Sequence, residues 1–182
     1  MRIAFSGSHR VGKSTLVEQV AQALPQYAAI DEPYHLLEED GHEFEWPPSA
    51  EDFEAQLARS VLEVETARSD VLFDRCPADL LAYLLVDGQT IEPMIERARE
   101  AMQLLDLVVF VPIEEPDCIA ASLDDEDRGW RHAVHEALAQ LLVDEELVED
   151  TLTVQGNVAV RVAQVMTRVR GFGGLVSPGG EG

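Results

Sequence analysis

Five short apolar runs punctuate the chain, at residues 2–6, 27–31, 70–74, 106–111 and 151–155. Between them apolar side chains recur every three or four positions, the period of a helix that buries one face. Over residues 13–24, for instance, Leu16, Val17, Val20, Ala21 and Leu24 share one stripe. The same period predicts helices over residues 50–68, 78–86, 91–104, 130–142 and 158–169. Strands that alternate with helices predict an α/β fold: a five-stranded parallel sheet between two helix layers, because each parallel crossover lays a helix on a sheet face. Ser49, three residues ahead of Asp52, has the form of a capping box and marks a helix start. Residues 36–48, acidic and carrying Asp40-Gly41 and Pro47-Pro48, read as a loop with extended backbone before that helix. Residues 171–182 hold six of the twelve glycines and no sustained apolar period, which predicts a disordered Gly-rich tail after a single domain over residues 1–170.

The turn after the first strand carries the strongest chemical signal. Gly7-Ser8-His9-Arg10-Val11-Gly12-Lys13-Ser14 reads G-x-x-x-x-G-K-[ST], with Thr15 next, and it stands between a strand and a helix as a phosphate-binding loop requires. At average residue usage, roughly one chain in a hundred of this length, or fewer, matches that pattern by chance. Lys13 is also the only lysine; every other Lys or Arg position is arginine. In such a loop the backbone N–H groups and the positive end of the following helix hold a di- or triphosphate, Lys13 reaches the outer phosphates, and the Ser14 hydroxyl ligates Mg2+.

Charge narrows the partners. With 35 acidic against 13 basic residues the formal net charge is −22, which repels nucleic acid and anionic lipid surfaces as general partners. A nucleotide is still acceptable, because it meets Lys13, arginines, amides and Mg2+ locally. The two cysteines, Cys76 and Cys118, form neither a framework nor a C-x-x-C pair. No apolar run reaches membrane-spanning length, and the N-terminus enters a strand without a signal-like segment, so the expectation is a soluble, cytoplasmic protein.

Ligands of open parallel sheets gather at the carboxyl ends of the strands. There the sequence places Asp31-Glu32-Pro33-Tyr34, Asp74-Arg75-Cys76-Pro77 and a proline-bounded acidic turn over residues 112–116. Asp74 closes the apolar run 71–73, where a P-loop protein keeps a second acidic residue for the Mg2+ shell; the other reading is a helix N-cap. Arg75 suits a transferring or acceptor phosphate; the alternative is an ion pair with a neighbouring carboxylate. Glu32 suits accepting the proton of an acceptor hydroxyl, and Asp31 competes for that role. Arg128 and Arg131 lie in an acidic stretch before a helix, where a mobile connection would swing them over the triphosphate; the alternative is salt bridging to residues 124–127. His132 and His135 share a helix face but lack the further ligands of a metal site. Cys76 has no partner histidine in its local pattern and reads as packing.

Together these stretches resemble the P-loop kinase-like ATPase group that includes the ribosylnicotinamide kinase domain and, more distantly, the deoxynucleoside kinases. The matching segments are GSHRVGKSTL at residues 7–16, DEPYHLL at 31–37, VLFDRCPADLLAYL at 71–84, LVVFVP at 107–112 and DRGWRHAVHEAL at 127–138, so the resemblance spans about residues 1–170. It implies strand order 2-3-1-4-5, ATP or GTP as donor with Mg2+, and a kinase that moves the γ-phosphoryl to a hydroxyl of a small, nucleoside-like acceptor. Carried onto this chain, it implies phosphate binding by Gly12, Lys13, Ser14 and Thr15, acceptor contact by Glu32, metal and phosphate contact by Asp74 and Arg75, and a lid with Arg128 and Arg131. Gln155-Gly156-Asn157 resembles the loop that borders the base. Cys76 stands where related kinases often have serine or glycine. The acidic segment 38–48 favours a neutral or cationic acceptor over a nucleotide. The alternative is a nucleotide-binding regulator or NTPase with no small acceptor. No oligomeric state follows from the pattern.

Overall fold

The computed structural model describes residues 1–117, 122–143 and 147–173. In chain order the elements are β1 (Arg2–Ser6), α1 (Lys13–Ala23), β2 (Ala28–Ile30), α2 (Pro33–Glu39), α3 (Ala50–Thr66), β3 (Val71–Asp74), α4 (Pro77–Val86), α5 (Glu92–Met102), β4 (Leu107–Phe110), α6 (Asp125–Leu141), β5 (Thr151–Thr153) and α7 (Val158–Gly173). The five strands pair in the order β2-β3-β1-β4-β5, and every neighbouring pair is parallel. The three-layer α/β/α arrangement and the strand order both match the expectation from sequence.

Strand side chains alternate between faces, so each strand feeds two cores. Ile3, Phe5, Leu72, Leu107 and Val109 pack with Leu16, Val17 and Val20 of α1 and Val165 of α7. Ala4, Val71, Phe73, Val108 and Phe110 pack with residues of α3, α4, α5 and α6. α4, clamped among those helices, buries every residue from Pro77 to Leu84. This double burial explains why β1, β3 and β4 read as continuous apolar runs, whereas β2 and β5 at the sheet edges are short and partly exposed.

Helix boundaries differ from the expectation in three places. A helix that the sequence pattern did not reveal, α2, lies within the segment expected to be a motif and a loop; it starts on Pro33, whose ring fixes φ for a first helical position. α6 begins at Asp125, five residues early, because the Asp124 carboxylate accepts a hydrogen bond from the Asp127 amide at 2.8 Å and caps it. α7 continues to Gly173, so the first residues of the expected tail are helical, and residues 174–182 lie outside the described residues, as does Cys118. The capping box is formed: the Asp52 amide donates to Ser49 Oγ and the Asp52 carboxylate accepts from the Ser49 amide. No helix among the described residues is long and apolar enough to cross a membrane.

Candidate nucleotide-binding site

β1 delivers the chain into the glycine loop at the centre of the sheet. A Cβ built on Gly7 would stand 2.4 Å from the Val111 carbonyl oxygen, so the loop passes β4 more closely than any side chain allows. Gly12, at φ 87°, turns the chain into α1 in the left-handed region open to glycine. Gly7→Ala therefore has to push backbone against backbone. It is expected to cost roughly 2–3 kcal/mol, about 5–10 °C of Tm in a chain of this size; an unchanged melting curve would contradict the close approach.

Lys13 opens α1 and folds back under the loop, donating from Nζ to the Ser8 carbonyl at 3.0 Å. Burial, reinforced by the charge of Arg75, lowers its pKa to about 8. An ammonium so placed is poorly compensated, and the phosphates of a ligand would supply the missing charge. Ser14 lies beside the Asp74 carboxyl, whose pKa burial raises, and the buried Asp74 Oδ1 has no hydrogen-bond partner in the described structure. A hydroxyl beside a buried carboxylate with an unsatisfied oxygen is the hard-oxygen donor set that Mg2+ takes along with phosphate oxygens. Among the described residues no group of three or more His, Cys, Asp or Glu side chains gathers as a metal site; His132 approaches Asp117 at 4.0 Å while His135 stacks on Phe110.

From β3 the chain turns at Arg75, at φ 82°, and aims its guanidinium into the cleft. Arg75 Nε donates to Glu32 Oε2 at 3.0 Å, its carbon lies 5.2 Å from the Tyr83 ring centroid, and its Nη1 stands 3.7 Å from Asp79 Oδ1. Burial opposes the Glu32 charge, but Arg75 and then Lys13 outweigh it and hold the carboxyl below the usual glutamate range. Glu32 caps α2 by backbone position without a side-chain cap bond, which leaves its carboxylate to the cleft. His9, Arg10, Gly12, Lys13, Ser14, Thr15, Glu32 and Arg75 line this cleft of about 290 Å3. Asp31 is exposed and does not line it. Cys76 is fully buried, and burial followed by the charge of Asp79 raises its thiol well above the ordinary range, in keeping with packing.

The two arginines expected on a mobile connection both belong to α6, and they part company. Arg131 is only 2% exposed; its Nε donates to the His9 carbonyl at 3.0 Å and its Nη1 pairs with Asp117. Arg128 sits at the surface, bonded to Asp125 at 3.2 Å and to the Leu123 carbonyl at 3.2 Å. Gln155, Gly156 and Asn157 follow β5. The Gly156 amide donates to Glu114 Oε1 at 2.6 Å, and Asn157 Oδ1 accepts from the Val160 amide at 3.1 Å, capping α7.

Sequence reasoning missed three residues of this region. Asp79, fully buried, accepts from the Gly7 amide at 3.0 Å through Oδ1 and from the Cys76 amide at 3.0 Å through Oδ2, tying the glycine loop to the β3 turn. Its spacing from Cys76 is that of a capping box, the one signal that could have drawn attention to it. Tyr83 brings its hydroxyl to 3.4 Å from His9 Nδ1. Arg161 of α7 donates to the Val11 carbonyl at 2.8 Å and to Glu114 Oε1 at 3.1 Å, contacts across about 150 and 47 positions that no local pattern announces. Burial, and then Arg75, Arg131 and Lys13, lower the His9 imidazole to about 4, so it is neutral beside the phosphate loop.

A phosphate loop at the switch point of a 2-3-1-4-5 sheet defines a P-loop nucleotide-binding protein of kinase-like fold. A family described as an AAA domain matches residues 2–161, and the chain belongs to it. No curated protein matches the chain. Among solved structures, deoxyadenosine kinase from M. mycoides, with the products dCMP and dCDP bound, superposes with a TM-score of 0.66 at 12% identity, covering 94% of this chain and 100% of that one. Thymidylate kinase from Candida albicans gives 0.65 at 13% identity over 94% and 92%. NadR protein, in complex with NAD and AMP-PNP, gives 0.67 at 16% identity over 100% of this chain and 51% of its own. At these identities the likeness is one of fold, and it bears out the resemblance stated from sequence.

Proposed function

We propose that the protein is a P-loop phosphotransferase that moves the γ-phosphoryl of ATP or GTP to a hydroxyl of a small, nucleoside-like acceptor. The observation that carries this reading is the position of Glu32. Its carboxylate is held on Arg75 in the same cleft as Lys13, where a hydroxyl acceptor needs such an oxygen beside the transferring phosphate. In this reading Lys13 and the loop amides hold the outer phosphates, Glu32 orients the acceptor hydroxyl and takes its proton, and Arg75 faces the phosphoryl group in transit. Ser14 and Asp74 would hold Mg2+, which supplies charge neutralisation on the phosphate oxygens. Catalysis of this kind is mostly positioning and electrostatics.

The test is NDP release measured against a panel of nucleosides and related metabolites. Release that rises with one acceptor supports the kinase; release indifferent to every acceptor fits an NTPase or a nucleotide-dependent regulator instead. Arg128 provides a second check, because its side chain is partly exposed, and a melting curve of the variant separates an effect on the fold. Arg128→Ala is expected to lower kcat by ~10-fold or more with a smaller change in NTP affinity, and wild-type kcat would remove it from the lid. Arg131→Ala is expected to cost about 3–5 kcal/mol of stability as well, since it strips the guanidinium from a buried pair with Asp117.

A further inference from the structure

The strand order divides the site in two. The glycine loop follows the central strand β1, Glu32 and Arg75 follow β2 and β3 on one side, and Glu114 and Gly156 follow β4 and β5 on the other. If the acceptor meets Glu32, the rest of the donor has to leave the phosphate loop toward β4 and β5. A second cavity, of about 160 Å3, opens on that side, and it shares Arg10 with the phosphate cleft. It is large enough for one heterocycle. Val11, Pro112 and Pro116 give it apolar faces, and Arg161 crosses one wall.

Two acceptors project from side chains into this cavity, Glu114 and Asp117. Asp117 is engaged by Arg131. Glu114 uses one oxygen, Oε1, for both the Gly156 amide and Arg161, which fixes its position, and its other oxygen has no partner among the described residues. Those two partners, the amide foremost, also hold its carboxyl below the usual range.

We infer that Glu114 reads the base of the donor nucleotide and selects guanine over adenine. The inference rests on the phosphotransferase reading above and adds the donor's identity to it. A carboxylate only accepts hydrogen bonds. Guanine offers it two adjacent donors, N1–H and the N2 amine. Adenine offers the N6 amine beside N1, a lone pair that faces the carboxylate charge. A fixed group that one base satisfies and the other repels discriminates far more sharply than apolar fit does. Glutamine at this position keeps an oxygen for the Gly156 amide and presents an amide instead of a charge, so Glu114→Gln removes the discrimination without removing the junction.

Calorimetric titration of the full chain with Mg2+ and the non-hydrolysable analogues of GTP, ITP and ATP tests this. The expected order of affinity is GTP, then ITP, which keeps N1–H and lacks the N2 amine, then ATP. The GTP to ATP ratio should be roughly 10- to 100-fold, the scale of a hydrogen bond to a charged group, and Glu114→Gln should bring it to unity or below. An ATP affinity equal to or above that of GTP in the wild type, or a GTP preference that survives in Glu114→Gln, overturns the base assignment and leaves the phosphotransferase reading in place. Absence of binding by any of the three overturns both.

Discussion

Lys13→Ala abolishes nucleotide binding while the protein stays folded: that is the largest effect expected of any single substitution here. The ammonium is buried, and its pKa of about 8 against the ordinary 10.5 means that the empty fold disfavours its charge. Removing it relieves that penalty, so the melting temperature should hold or rise. The same removal leaves the outer phosphates without their cation. Truncating one partner of a buried charge pair weakens binding by ~100-fold or more. Calorimetry of wild type and variant with an NTP analogue, alongside a melting curve, measures both halves. Unchanged affinity would refute the phosphate-loop reading, and loss of folding would show that Lys13 serves structure first.

The second large effect belongs to Glu32. Glu32→Gln keeps the shape and keeps an oxygen for Arg75 Nε, now 3.0 Å away, but it removes the charge and the basicity. Phosphorylation of the acceptor should fall by ~100-fold or more, the scale of a lost positioned base, with NTP affinity nearly unchanged. Because Arg75 and Lys13 hold the Glu32 carboxyl below the ordinary glutamate range, it stays ionised as the pH drops through that range. The acid limb of kcat should accordingly begin lower than a free glutamate would place it. Asp31→Asn is the matched control, since Asp31 is exposed and outside the cleft. A loss in Asp31→Asn together with full activity in Glu32→Gln would transfer the role to Asp31.

The sheet was legible because burial on both faces forces apolar continuity in β1, β3 and β4, a pattern that survives without tertiary knowledge. The phosphate loop was legible because its chemistry is local: two glycines, a lysine and a hydroxyl within eight positions. α2 was not, since a single turn of apolar spacing at residues 33–39 beside acidic, glycine and proline residues resembles a loop, and the helix-starting effect of Pro33 was the only cue. Arg128 and Arg131 were read as equivalents because they are neighbours in sequence. Three positions apart on a helix, they diverge only when α6 packs on α4 and turns Arg131 inward to His9 and Asp117. Which of Asp31 and Glu32 meets the cleft depends likewise on an arginine some forty residues further along the chain, a contact no local pattern announces.

Asp79 carries a consequence for how this protein tolerates change. One carboxylate serves the amide that begins the glycine loop and the amide that follows Arg75, so it rivets the two halves of the cleft together. Residues joined through a shared partner respond non-additively to substitution. A glycine-loop variant that is harmless with Asp79 in place should become costly in an Asp79→Asn background, and the loop of another nucleotide-binding protein grafted onto residues 7–14 should work only if it presents a free amide at the position of Gly7. Changes in this part of the chain are thereby expected to be tolerated in pairs rather than singly.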